Sequence, residues 1–168
     1  NVDRYDRLTQ LSSNEAKYAE WYYGPQYRFF SSYSLELTKA NKFFDASTLI
    51  LAYQAIEESR IVRIFKDVAL KNRKESLDIV TLNFDLSKQF NSHEFRYGLD
   101  VFYNLVDSKA FSTDINSLLV SHLDTRYPDG GSNMSSLALY VTDNWEVNDK
   151  TIISSGIRGS FVQLNAVF

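Results

Sequence analysis

The chain has 168 residues and a formal net charge of -3 at pH 7, so no basic field favours nucleic acid as a partner. Aromatic residues make up 15% of the sequence, whereas there are only 6 glycines and 2 prolines; this mix favours strands and argues against disorder. The absence of cysteine excludes disulfides, thiolate metal sites and cysteine nucleophiles. No stretch approaches the roughly 18 consecutive apolar residues that a membrane helix requires, so any contact with a membrane would be made by strands.

Apolar and polar residues alternate with a period of two over most of the chain, which predicts β-strands. The alternation is clearest at residues 78–88 and continues at 94–105. We predict six strands, at residues 27–38, 48–56, 78–88, 94–105, 136–147 and 151–164.

The predicted connections alternate in length along the chain. Three are short, near residues 39–43, 90–93 and 148–150, and two are long and polar, at 58–74 and 108–133. An up-and-down sheet with this order has all its short turns at one edge and its long loops at the other, as outer-membrane barrels do. The predicted fold is therefore all-β, an antiparallel up-and-down transmembrane β-barrel segment of about six strands. A soluble β-sandwich produces the same alternation of residues and stays open as a second interpretation.

The alternation assigns side chains to the two faces of the predicted sheet. The polar set, expected to face the lumen of a barrel, is Arg28, Glu36, Thr81, Asn83, Asp85, Glu94, Arg96, Asp100 and Asn104. The apolar set, expected to face lipid, is Val80, Leu82, Phe84, Leu86, Leu99, Val101 and Leu105. Aromatic residues gather beside the short turns and predict one interfacial girdle: Phe43, Phe44, Phe90, Phe95 and Trp145.

Five runs of residues resemble the barrel of TonB-dependent receptors, in the form common among Bacteroidetes. The runs are RYDRLT at residues 4–9, YAEWYYGPQ at 18–26, AYQAIEESR at 52–60, YNLVDSKA at 103–110 and TRYPDGGS at 125–132. Their order and their spread over nearly the whole chain make the set more specific than any single run.

This resemblance implies a 22-stranded barrel in the bacterial outer membrane with a globular plug inside it. Its function would be the uptake of a scarce ligand such as an iron–siderophore complex or haem, energised by TonB through a segment ahead of the barrel. Since six strands are too few to close a barrel, residues 1–168 are expected to be a partial barrel, with Phe168 a truncation point. A barrel that serves a secretion or surface-glycan machine without transporting is an alternative, which a plug with a TonB box upstream would exclude.

The sequence predicts no catalytic residues, no metal site and no cofactor. The weak candidates for ligand contacts are His122, Arg126 and Tyr127, in the second predicted long loop. Glu57 and Glu58 are adjacent, so alternation places them on opposite faces, where they cannot act as a carboxylate pair. We expect one of them to pair with Arg60 or Arg63, and we expect residues 21–26 to form a loop that leads into the first strand.

Overall fold

Long alternating segments make this chain a single antiparallel sheet, and the computed structural model describes it from Lys17 to Val167. The RYDRLT run and Phe168 lie outside the described residues. The strands are β1 (Tyr18–Tyr23), β2 (Tyr27–Leu37), β3 (Ala46–Ile64), β4 (Ala69–Phe90), β5 (His93–Asp114), β6 (Val120–His122), β7 (Ser132–Asn148) and β8 (Thr151–Ala166). Within Lys17–Val167 there is no helix long and apolar enough to cross a membrane.

The strands follow one another up and down across the sheet. Strands β1 and β2 pair with successive parts of β3, then β4, β5, β7 and β8 follow in order, and β6 pairs with β5 beyond the end of β7. The sheet is thus six strands wide, which confirms the all-β, antiparallel, up-and-down prediction. It is not closed, because no pairing joins β8 to β1 or β2 among the described residues.

The prediction of a long loop at residues 58–74 was wrong. Pairing between β3 and β4 continues unbroken from Ala46 and Ser87 to Val62 and Lys71, so the connection shrinks to residues 65–68. Eight of the 17 residues at 58–74 are charged, and their polarity suggested a loop. Strands accept charged side chains where neither face is packed against a core, so polarity alone is a poor sign of a loop here.

Two other predicted connections are shorter than expected. Strand β5 extends to Asp114, and β6 interrupts the remainder, so the second long loop spans residues 115–131. Residues 21–26 are not simply a loop, because β1 includes Trp21 and runs to Tyr23, where it pairs with Arg60. Only residues 24–26 separate β1 from β2.

The register confirms that the predicted polar and apolar sets lie on opposite faces of the sheet. Residues directly opposite in an antiparallel pair share a face, and the pairs Asn83–Asp100 and Leu82–Val101 extend this assignment from strand to strand. We call the face that carries Asn83 and Asp100 the polar face, and the face that carries Leu82 and Val101 the apolar face.

The sheet is a single layer and has almost no core of its own. Among the described residues, the hydrophobic side chains that are buried are Val106, Ala110 and Ala138. Large apolar side chains lie exposed instead, and Leu139 retains 59% of its accessible surface. Because apolar burial is the main favourable term in folding, such a sheet needs another surface against its apolar face.

Candidate functional site

The centre of the polar face holds a hydrogen-bonded network built across strands. Tyr140 on β7 donates a hydrogen bond from its hydroxyl to the Asp85 carboxylate on β4, passing over β5, which lies between them. The β5 residue between them is Gly98, which lies directly opposite both Asp85 and Tyr140. We call such a set of directly opposed residues across the strands a row. A Cβ at Gly98 would overlap the carbonyl oxygen of Phe84 and come within 3.1 Å of the Tyr140 ring, so glycine leaves the space that this ring uses.

The next row of the polar face extends the network to β8. Asn83 Nδ2 donates to Asp100 Oδ1 over 2.6 Å, and the Arg158 guanidinium donates to the other oxygen of the same carboxylate. Closer to the short turns, Arg96 donates to Glu94 Oε1 from Nε and Nη2, over 3.0 and 2.8 Å. Paired charges of this kind hold the polar side chains of this face in fixed positions.

The apolar face carries a band without charge. Four consecutive rows across β2, β3, β4, β5, β7 and β8 contain no charged side chain. Taken along β4, the rows run from Val80 to Leu86. The first charged residues on this face of β4 are Asp78 at one end and Lys88 at the other.

Aromatic side chains border the band at both ends. At the end near the short turns, His93 stacks between Phe95 and Trp145, with ring centroids 5.6 and 5.5 Å apart, and its Nδ1 lies 2.8 Å from Asp143 Oδ2. At the other end, the last row of the band, which is that of Val80, has tyrosines on both neighbouring strands, at positions 53 and 103. Of the five aromatic residues predicted to form a girdle, Phe95 and Trp145 thus pack against the same ring, that of His93. The tyrosines at the other end were not predicted from the sequence.

A second polar cluster fixes the connection between β2 and β3. Asp45 accepts hydrogen bonds from Lys88 Nζ over 2.7 Å and from the Gln89 backbone N–H over 2.8 Å. The Lys88 hydrogen bond, followed by the Gln89 N–H, holds the pKa of the Asp45 carboxyl below its usual range. Asn41 completes the cluster, because its Oδ1 accepts from the backbone N–H groups of Phe43 and Phe44.

At the opposite end, Asp114 organises the start of the long connection. Its Oδ1 accepts from the backbone N–H groups of Asn116 and Ser117, each over 2.8 Å. These N–H donors, with Ser117 contributing most, hold the pKa of the Asp114 carboxyl below its usual range. The turn then passes through Leu118 at φ 59° before β6 begins.

The three predicted ligand-contact residues all lie in the segment from β6 to β7, and the structure does not bring them into one site. His122 is in β6, exposed, with Nε2 at 3.5 Å from Asp129 Oδ2. Arg126 and Tyr127 are also exposed, and the Tyr127 carbonyl oxygen accepts a hydrogen bond from Thr125 Oγ1 over 2.5 Å. Within the described part of the chain, we find no hydrogen bond or ion pair that joins any two of the three.

The two adjacent glutamates lie on opposite faces, as predicted, but the predicted partners were wrong. Glu57 pairs with Lys74 over 2.8 Å, and Glu58 pairs with Arg28 over 3.2 Å. Arg63 instead binds Glu20 on β1 over 2.8 Å. The ion-pair partners follow from the pairing of the strands, which could not be predicted while residues 58–74 were taken to be a loop.

Because residues 58–74 were wrongly predicted to be a loop, the sequence also did not predict a pair of opposed arginines. Arg60 on β3 and Arg73 on β4 lie directly opposite each other on the polar face, and both are half-buried. Within Lys17–Val167, neither guanidinium has a hydrogen-bond or ion-pair partner. Only the position of the turn at 65–68 brings them together, so no sequence signal marked them as a pair.

No protein-family model matches the chain, and no curated protein matches it. In the described residues there is also no group of three or more histidine, aspartate or glutamate side chains that could hold a metal ion.

Proposed function

We propose that this sheet forms part of the wall of a TonB-dependent receptor barrel in the bacterial outer membrane, which imports a scarce ligand. The observation that supports this most strongly is the uncharged band on the apolar face, bordered by aromatic residues and backed by a polar, hydrogen-bonded face. A transmembrane β-barrel has an apolar outer face, a polar inner face and aromatic residues at both borders of the apolar band.

The height of the band agrees with a bilayer. Ten residue steps separate Asp78 from Lys88, which at about 3.3 Å per residue is roughly 33 Å along the strand. A strand tilted by about 40° then crosses roughly 25 Å, the height of the apolar band on outer-membrane barrels. Beyond the band, β3, β4 and β5 continue toward the hairpin at residues 65–68 and would project from the membrane.

The open edges of the sheet fit a larger closed wall. In a bilayer, an unpaired strand edge costs several kcal/mol for each unsatisfied backbone group, so further strands would pair with β2 and β8. The polar face would then surround a lumen and contact the plug through side chains such as Arg96 and Arg158. The similarity to TonB-dependent receptors supplies the plug, the energy source and the class of ligand in this proposal.

Two adjacent residues of β7 provide a direct test. Leu137 lies on the apolar face and Ser136 on the polar face, and the chain contains no cysteine. We would introduce Leu137→Cys and Ser136→Cys singly, attach a nitroxide and measure its collision rates with oxygen and with a water-soluble nickel complex in liposomes.

If the proposal is correct, the nitroxide at position 137 collides more often with oxygen, and the nitroxide at position 136 collides more often with the nickel complex. Equal access of the nickel complex to both labels, or recovery of the protein in buffer without detergent, would favour the soluble sandwich. Failure of the intact protein to take up any ligand across the outer membrane would favour a barrel without a transport role.

A further inference from the structure

The opposed arginines on the polar face break a rule of strand pairing. Side chains directly opposite in an antiparallel pair have Cβ atoms about 4.5–5.5 Å apart, and like charges in such a pair are destabilising. Arg60 and Arg73 occupy such a position. Places where a sequence departs from local rules without compensation are commonly functional.

The nearest acidic residues that the structure describes form no ion pair with either arginine. The adjacent row of the same face carries Glu58 and Glu75. Glu58 is bound by Arg28 and by Gln26. Glu75 Oε1 is buried without a hydrogen-bond partner, so that oxygen receives no bond from either guanidinium.

The other neighbours strengthen the positive charge and add an aromatic wall. Lys71 follows on the same face of β4, opposite Val62. Tyr23 lies opposite Arg60 on β1, and its ring meets that of Trp21 edge to face at 5.6 Å. On the other side of Arg73, the facing residue of β5 is the small Ala110.

From this arrangement we infer that Arg60 and Arg73 together bind an oxyanion, a carboxylate or phosphate group, of the ligand. Each guanidinium presents a planar set of N–H donors that matches two oxygens of such a group, and one anion between them removes the repulsion. The inference rests on the proposed function for its orientation, in which the pair lies on the lumen side beyond the apolar band, toward the outside of the cell. It specifies the imported ligand as anionic.

Calorimetric titration of the full-length protein in detergent with inorganic phosphate and with citrate tests this inference. We expect Arg60→Gln and Arg73→Gln each to weaken binding about tenfold or more, since each substitution removes charge-assisted hydrogen bonds to the anion. The matched control is Arg96→Gln on the same face, because Arg96 is already paired with Glu94. The stronger of the two probes identifies the anion as phosphate or carboxylate.

Equal affinities in Arg60→Gln and Arg96→Gln would overturn the inference, as would a failure of both probes to bind the unaltered protein. If neither probe binds and both arginine variants lose stability, an acidic segment of protein holds the pair instead. The nitroxide measurement at residues 136 and 137 is independent of this titration, so either proposal can fail while the other stands.

Discussion

Tyr140 lies directly opposite Gly98, and its ring uses the space that the missing side chain leaves on β5. Through that space the Tyr140 hydroxyl reaches Asp85 on β4. One side chain thus ties together three strands of a sheet that has almost no core. An aromatic ring packed over a strand glycine is a known device for stabilising sheets at such positions.

Removing either half of this arrangement should weaken the fold. Tyr140→Phe deletes the hydrogen bond to the Asp85 carboxylate, and we expect the free energy of unfolding to fall by about 1–3 kcal/mol. Gly98→Ala should also destabilise, because its Cβ would overlap the Phe84 carbonyl oxygen. Denaturant unfolding in lipid vesicles measures both changes.

Gly159→Ala is the control, because a Cβ there meets no atom within 4 Å. It should leave stability unchanged or slightly higher. If alanine at positions 98 and 159 had the same effect, the space over Gly98 would have no part in stability.

Acid should loosen the turn between β2 and β3. The pKa of Asp45 is held below its usual value of 3.8, so its contribution to stability is complete well above that pH. The contribution is lost as the pH falls from about 3.8 through the lower pKa of the folded state. Denaturant unfolding of Asp45→Asn should therefore show lower stability at neutral pH and a smaller further loss in acid.

Lys88→Met removes the main cause of the lowered Asp45 pKa. It should therefore weaken the dependence of the free energy of unfolding on pH in the same acid range. The variant that carries both substitutions should lose little more stability than either single variant, since each substitution removes the same interaction between Asp45 and Lys88. Additive effects of the two substitutions on the acid side would show that Asp45 and Lys88 act independently.

The two-residue turn between β4 and β5 depends on a residue that tolerates a left-handed backbone. Asn91 has φ 54°, which asparagine and glycine adopt far more readily than branched residues. Asn91→Val should cost about 1–2 kcal/mol of unfolding free energy, whereas Asn91→Gly should be nearly neutral. The two variants compared by thermal unfolding decide the point, and equal melting temperatures would refute it.

The sequence predicted the faces of the sheet because alternation survives wherever one side is uniformly apolar, as from Val80 to Leu86. It misplaced the ends of β3 and β4, because Glu57, Glu58, Arg60 and Arg73 look like loop residues when both faces are polar. Without the turn at 65–68, neither the ion pairs of the glutamates nor the opposed arginines can be derived. The two arginines lie opposite each other because of the register between β3 and β4, and the turn at residues 65–68 sets that register.

The central claim is that the apolar face contacts lipid, and a pair of charge substitutions in the middle of β4 tests it most directly. Leu82 lies in the uncharged band and Thr81 on the polar face. In liposomes, we expect Leu82→Arg to lower the free energy of unfolding by about 2–4 kcal/mol more than Thr81→Arg does, which is the cost of an arginine at the bilayer midplane. A smaller cost at Leu82 than at Thr81, or stable folding of both variants without lipid or detergent, would contradict the claim.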